Sequence, residues 1–154
     1  MTIGSAKLDP REEHFRIQGP HNGLQLFLRY LSTPHRPARD RRVVLYVHGA
    51  TFPSALSIAH RFDGQSWRDA LNEAGFDVWG LDFHGFGCSD RYPQMSEPAE
   101  ANPPLCNAQD ATRQVEAAVR FILAHHGIRR LSLVSHSWGS MPAGRFAGTH
   151  PEMI

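Results

Sequence analysis

Three short apolar runs alternate with segments of helical periodicity, and this alternation constrains the fold of the chain more than any other feature. The runs are VVLYV (43–47), DVWGLD (77–82) and LSLVS (131–135). Short apolar runs without polar alternation are typical of strands buried on both faces of a parallel sheet. The pattern therefore predicts an α/β fold with a largely parallel sheet, right-handed crossovers and flanking helices.

Capping signals mark the predicted helices between the strands. Ser66 and Asp69 have the spacing of a capping box, and Gly75 is a typical stop signal, so a helix is predicted over about 67–74. Asn107 and Gly127 bound a second helix, and a third is predicted over WGSMPAGRFAGTH (138–150), after the last apolar run. A hairpin is predicted before the first run, because the segments HFRI and LQLFLRYLS flank the turn signal Asn22-Gly23. The sequence thus predicts one domain over 1–154, with a hairpin at about 12–33 and a βαβαβα core at about 42–154.

Composition removes several classes of function. The net charge is +1, and the densest basic cluster, formed by Arg36, Arg39, Arg41 and Arg42, lacks the interleaved aromatic residues of a nucleic-acid surface. The two cysteines form no CxxC pair, so neither a disulfide framework, a zinc site nor another cofactor is expected. No secretion signal or run of 18 apolar residues is present, and a cytoplasmic protein without a membrane partner is expected.

Unusual sequences follow all three apolar runs: HGAT (48–51), DFHGFGCSD (82–90) and SHSWG (135–139). Ligands of parallel α/β sheets bind at the carboxyl ends of the strands, where these three segments are expected to meet. Their coincidence at matching strand ends predicts a functional site.

SHSWG has the form of a nucleophile elbow, a tight strand-to-helix turn with a serine at its apex. Such a turn needs small residues two positions before and two after the nucleophile, and Ser135 and Gly139 flank Ser137 in that way. The pentapeptide alone also fits a serine that only caps a helix.

HGAT favours the catalytic interpretation of Ser137. Acyl transfer to a serine needs backbone donors for the oxyanion of the tetrahedral intermediate. Trp138, directly after the serine, is one candidate, and Ala50 or Thr51 in the turn after the first apolar run supplies the other. We expect His48 to hydrogen-bond this loop without transferring protons.

The segment GFGCS (85–89) allows two other interpretations. It superficially resembles a nucleophile motif ending at Ser89, but no helix signal follows, so a structural turn is expected. A dinucleotide-binding G-x-G-x-x-G loop would need glycine where Asp90 stands.

Together these motifs resemble the N-terminal half of an α/β-hydrolase. The resemblance rests on VVLYVHG (43–49), LDFHGFGCSD (81–90), LVSHSWGS (133–140) and HPE (150–152). In that family the second motif is usually D-x-R-G-x-G-x-S, which Asp82, Gly85 and Gly87 match while His84 replaces a frequent arginine. The motif glycine after His48, Gly49, also matches. With serine at the elbow, the chain resembles the esterase, lipase, peptidase and carbon–carbon hydrolase branches of the family. Membership of the dehalogenase or epoxide hydrolase branches is disfavoured, because those enzymes use aspartate at this position.

The base that would activate Ser137 is missing from the pattern. The family order is Ser, then Asp or Glu, then His. After Ser137 the chain offers only His150 and Glu152, and His150 is expected roughly 20 Å away along the last helix. His84 is the one histidine expected at the correct sheet end, which makes it a weak candidate for a substitute base. The resemblance implies that later strands, a cap and the triad's acid and histidine would follow Ile154, so that this chain alone is expected to be inactive.

Three functions remain open from the sequence. The first is a serine hydrolase of a small-molecule acyl substrate, an ester, amide or similar bond. The second is a non-catalytic fragment or isoform acting by partner binding, since the strand at 131–135 would be an exposed edge and a site of self-association. The third and weaker one is an acyltransferase. The loop from Arg91 to Leu105, with its four prolines, is either the border of a pocket or a solvent-exposed linker.

Overall fold

A computed structural model describes residues 6–21, 23–35, 37, 40 and 42–154. The predicted turn residue Asn22 and the cluster residues Arg36, Arg39 and Arg41 lie outside the described residues. The described strands are β1 (Glu13–Gln18), β2 (Gln25–Leu31), β3 (Arg42–Val47), β4 (Phe76–Asp82) and β5 (Ser132–Ser135). The helices are α1 (Trp67–Glu73), α2 (Ala108–His126) and α3 (Ser140–Thr149).

The five strands form one mixed sheet in the order β1-β2-β4-β3-β5. The N-terminal hairpin pairs antiparallel within itself and with β4. The pairs β3–β4 and β3–β5 are parallel, as the alternation of strands and helices predicted. This arrangement confirms the predicted α/β fold class.

Successive residues of β3 enter two different apolar layers. Val43, Leu45 and Val47 pack with residues of α2 and α3 on one face of the sheet. Val44 and Tyr46 pack against Ile58 and Leu71, beside α1, on the other. The near-continuous apolar run is therefore explained by helices on both faces.

Local signals set the ends of the helices as predicted. Ser66 and Asp69 form the reciprocal capping box at the start of α1. The Asn107 side chain accepts from the Asp110 N–H at the start of α2, and Gly127 ends that helix with φ of 64°. The last helix differs from the prediction, because residues Ser137–Gly139 form a separate 3₁₀ turn before α3 begins. No helix in the described part of the chain is both long and apolar enough to cross a membrane.

The third apolar run is the least buried of the three. β5 pairs with β3, and no other described strand pairs with it. Ser132 is exposed and Leu133, Val134 and Ser135 are half-buried. The predicted position of this strand at an edge of the sheet is thus observed.

Candidate active site

Parallel pairing brings the three predicted segments to the same edge of the sheet. The register aligns Val47 at the end of β3 with Leu81 of β4 and with Ser135 of β5. The turns that follow these residues therefore lie side by side. The β1–β2 turn lies at this edge too, because β2 runs antiparallel to β4.

Ser137 has the backbone geometry of a strained turn. Its φ is +53°, in the left-handed region that L-residues other than glycine seldom adopt. Such a conformation costs on the order of 1–3 kcal/mol and persists only when the surrounding structure holds it in place. The side chain is exposed, and within the described residues its hydroxyl has no hydrogen-bond partner.

Close backbone contacts hold this turn against the end of β3. A Cβ atom on Gly139 would lie 2.3 Å from the His48 carbonyl oxygen and 2.7 Å from the Val47 carbonyl oxygen. The backbone of Gly139 therefore approaches β3 at a distance that excludes any side chain. His136 donates its N–H to the Val47 carbonyl oxygen at 3.1 Å, which extends the β3–β5 pairing into the turn.

The HGAT segment lies directly beside Ser137. A Cβ atom on Gly49 would be 3.0 Å from the Ser137 Cβ and 3.2 Å from the His136 carbonyl oxygen. Ala50 and Thr51 follow as exposed residues, and among the described groups their backbone N–H donors have no partner. Trp138 lies in the first turn of the 3₁₀ helix, where N–H groups have no acceptor within the helix. Trp138 thus follows Ser137 directly in the chain, and Ala50 and Thr51 follow Gly49, whose backbone lies close to Ser137.

His48 is buried and hydrogen-bonds the backbone through both ring nitrogens. Nδ1 donates to the Gly49 carbonyl oxygen at 2.5 Å, and Nε2 accepts from the Phe83 N–H at 3.0 Å. Burial lowers the pKa of this imidazole below its usual value, so the ring is neutral at pH 7. The ring joins the ends of β3 and β4 and has no free lone pair to take a proton.

Asp82 organises the second turn and reaches the loop after β3. Its Oδ1 accepts from the N–H of Ser54 at 2.8 Å and from the Ser54 hydroxyl at 2.6 Å, and its Oδ2 accepts from the Cys88 N–H at 3.1 Å. Gly85 and Gly87 have φ of 87° and 52°, and a Cβ on Gly87 would lie only 2.0 Å from Asp82 Oδ2. Glycine is therefore required at position 87 by conformation and by space.

A buried ionic network, which no local pattern in the sequence indicates, supports the same loop. Arg29 donates through Nε to the Ser54 hydroxyl at 3.0 Å and pairs with Glu12, which also pairs with Arg68. All three charged side chains are at most 1% exposed. Their charges come from the hairpin and α1, distant segments whose meeting depends on the tertiary fold.

The other histidines lie in different surroundings. The buried His84 ring packs against His21 and Tyr92, with centroids 5.6 Å away in both cases, at the β1–β2 turn. Burial, and next the nearby His21, lower the pKa of His84 to about 4. His126 accepts from Trp79 Nε1 at 2.9 Å, and His150 lies 3.4 Å from Glu152 at the end of α3. The structure brings none of these three rings into a described contact with Ser137.

Comparisons with known proteins agree with this architecture. The family model described as alpha/beta hydrolase fold matches residues 42–154. An epoxide hydrolase from Vigna radiata superposes with a TM-score of 0.64 at 19% identity, over 94% of this chain and 38% of its own. A thioesterase domain from the curacin biosynthetic pathway gives 0.65 at 20% identity, over 93% and 42%.

A proline iminopeptidase-related protein from Thermus thermophilus gives a TM-score of 0.62 at 19% identity, over 93% of this chain and 42% of its own. This chain therefore spans well under half the length of these solved structures. At such identities the likeness concerns the fold alone. No curated protein sequence matches the chain.

Proposed function

The chain belongs to the α/β-hydrolase fold family, and from that premise we propose that it forms the nucleophile half of a serine hydrolase acting on an acyl bond. The observation that carries the proposal is the φ of +53° at Ser137, held by the contact of Gly139 with β3. A serine strained in this way stands at the apex of its turn, with its hydroxyl exposed at the sheet edge.

In the proposed reaction the Ser137 Oγ attacks the carbonyl carbon of an ester, amide or similar bond. The serine proton passes to a base, and the oxyanion is held by the N–H of Trp138 together with that of Ala50 or Thr51. The leaving group departs with a proton, and water then releases the acyl group from the serine. An alcohol in place of water would make the same site an acyltransferase.

The base is proposed to come from residues other than those of this chain. His48 uses both ring nitrogens in hydrogen bonds with the backbone, and the ring of His84 packs at the β1–β2 turn. His150 sits beside Glu116 and Glu152, at the opposite end of α3 from the nucleophile turn. An acid–histidine pair supplied by further sequence would complete the usual order of the family.

Labelling with a fluorophosphonate tests the proposal, because the probe reacts with activated serines. We expect one adduct, on Ser137, that forms slowly in the absence of the base, is lost in Ser137→Ala and is retained in Ser89→Ala. Reaction of the 154-residue chain should rise when the acid–histidine half is added as a separate polypeptide. Labelling that persists in Ser137→Ala would contradict the assignment of the nucleophile.

A second candidate, partner binding by a non-catalytic chain, is favoured by the edge position of β5. Open N–H and C=O groups at a sheet edge pair readily with another strand, and we propose a second copy of this chain as the partner. Sedimentation velocity should then show concentration-dependent self-association, which Leu133→Lys on β5 reduces and Leu8→Lys, away from the sheet, does not. A monodisperse monomer at all concentrations would remove this candidate.

A further inference from the structure

An apolar cavity opens beside the nucleophile turn. Its volume is about 260 Å³, and its walls come from the turns after β3, β4 and β5 together with the end of the loop before α2. It is lined by Ala50, Phe83, Phe86, Leu105, Cys106 and Trp138. Two of these residues, Ala50 and Trp138, are the proposed oxyanion donors, so a group bound to the carbonyl carbon under attack would enter this cavity.

The lining carries no charge. Its one titratable group is the Cys106 thiol, and burial raises the pKa of that thiol above its usual value, so it stays protonated at neutral pH. A carboxylate or ammonium entering the cavity would lose its hydration without gaining an ionic partner there. The cavity therefore discriminates against charged groups.

Its size and its aromatic walls favour a ring. An apolar cavity of about 150 Å³ holds benzene, so a space of about 260 Å³ has room for a phenyl ring with a short linker. Phe83 and Trp138 already meet edge to face, with centroids 5.9 Å apart. A ligand ring would extend this arrangement, because aromatic rings pair with each other in edge-to-face and offset geometry.

A buried glutamine fixes one wall of the cavity. Gln114 accepts from the His84 N–H at 2.8 Å and donates to the Tyr92 hydroxyl at 3.0 Å and to the Cys106 sulfur at 3.4 Å. These bonds tie the Leu105–Cys106 segment, where Cys106 has φ of +55°, to the end of β4. The wall is therefore formed before any ligand binds, which lowers the entropic cost of binding.

We propose that this cavity is the acyl-binding pocket and that it selects uncharged acyl groups carrying an aryl ring on a short linker. The inference rests on the proposed function and adds the substrate class. In this arrangement the loop from Arg91 to Leu105 borders the pocket through its last residue, Leu105.

Three phosphonofluoridates that differ only in the group on phosphorus test the selection, these groups being methyl, 2-phenylethyl and 2-carboxyethyl. In each reaction the Ser137 oxygen bonds to phosphorus, the phosphorus–fluorine bond breaks, and fluoride and the serine proton are released. Intact mass against time gives the rate constants for the 154-residue chain. We expect the phenylethyl probe to react about tenfold faster than methyl, and the carboxyethyl probe to react more slowly than methyl.

Leu105→Trp tests whether the cavity causes the preference, since a larger side chain at this lining position reduces the space available to a ligand ring. We expect it to abolish the advantage of the phenylethyl probe over the methyl probe. Leu8→Trp is the matched control, because Leu8 and Leu105 are 36% and 37% exposed and Leu8 lies outside the cavity. Leu8→Trp should keep the full preference.

The outcomes separate the pocket from the nucleophile. Equal rates for the three probes would overturn the pocket and leave Ser137 as nucleophile. If no probe labels Ser137 in the 154-residue chain, the serine needs the base that the proposed function draws from outside this chain, and the pocket is then judged by titrating Ser137→Ala with phenylacetamide in ¹H–¹⁵N NMR spectra. Shifts confined to the amides of the lining residues would support the pocket, and unshifted amides there would overturn it.

Discussion

Two serines follow strands at the same sheet edge, Ser89 after β4 and Ser137 after β5, each within a glycine-containing turn, yet their surroundings differ. Ser89 is buried, and its hydroxyl accepts from the Phe27 N–H at 2.7 Å and donates to the Asp82 carbonyl oxygen. Ser137 is exposed and strained, and its hydroxyl has no partner among the described groups. The Ser89 hydroxyl joins β2 to the end of β4, whereas the Ser137 hydroxyl is exposed at the sheet edge.

The tertiary surroundings of a turn, more than its amino-acid sequence, thus decide whether its serine hydroxyl is buried and bonded or exposed. In the 82–90 turn the strain is taken by Gly85 and Gly87, which adopt positive φ at low cost. In the 135–139 turn Ser137 itself adopts a positive φ. Glycine at position 137 would adopt this φ with less strain, so stability alone does not explain the serine. The retained strain therefore favours a functional role for Ser137.

The largest expected effect is on the turn that carries Ser137. In Gly139→Ala the new methyl group would lie 2.3 Å from the His48 carbonyl oxygen, so β3 and the turn must separate. We expect a loss of about 3 kcal/mol in the free energy of unfolding, measured in urea. Gly144→Ala in α3 is the control, because no atom lies within 4 Å of its added Cβ, and it should gain about 0.5–1 kcal/mol. Equal effects at the two glycines would contradict the close contact.

Removing the Ser89 hydroxyl should destabilise the other turn. Ser89→Ala leaves the Phe27 N–H buried without an acceptor, which costs about 1–3 kcal/mol. Urea unfolding measures this loss, while fluorophosphonate labelling of Ser137 in the same variant should be retained. A variant as stable as the parent would show that the hydroxyl does not join β2 to the turn.

The 82–90 turn should also make stability depend on pH through His84. The pKa of His84 is about 4 in the folded chain, against about 6.5 when unfolded, so protons bind preferentially to the unfolded chain between these values. The contribution of neutral His84 to the free energy of unfolding is therefore fully present above pH 6.5 and is lost as the pH falls toward 4. At pH 5 the loss is roughly 2 kcal/mol. His21, Tyr92 and Asp90 are the titratable groups around the ring.

Urea unfolding at pH 7.5 and pH 5 checks this dependence, with His84→Leu as the comparison. The variant should lose about 2 kcal/mol less than the parent between the two pH values. Asp9, whose pKa is lowered to about 2 by hydrogen bonds with Arg11 and Arg61 against an opposing effect of burial, contributes only at more acidic pH. Identical losses in parent and variant would contradict the neutral, buried state of His84.

The smallest expected effect tests the strain at Ser137 directly. Ser137→Gly should be about 1 kcal/mol more stable than Ser137→Ala, because only glycine adopts φ of +53° without a steric penalty. The order would reverse at an ordinary helical position, where alanine is the more stable residue. Thermal or urea unfolding of the two variants therefore tells whether the turn is strained in solution.

Local patterns in the sequence determined the elements and their order. The apolar runs, the Ser66–Asp69 capping box and the Gly127 stop depend on neighbours a few residues away, so they could be predicted, as could the meeting of HGAT and SHSWG at one sheet edge. The elbow spacing likewise predicts a tight turn with Ser137 at its apex, where the structure has a φ of +53°.

Only the tertiary structure decided which side chains are held, buried or free. The Glu12–Arg29–Arg68 network, the Asp82–Ser54 bonds and the wall fixed by Gln114 join segments far apart in sequence. The burial of Ser89 and the exposure of Ser137 likewise depend on contacts between segments far apart in sequence. The burial of a side chain and its hydrogen-bond partners depend on its three-dimensional neighbourhood. The strands of this sheet are not in sequence order, so the topology sets that neighbourhood and adjacent residues do not.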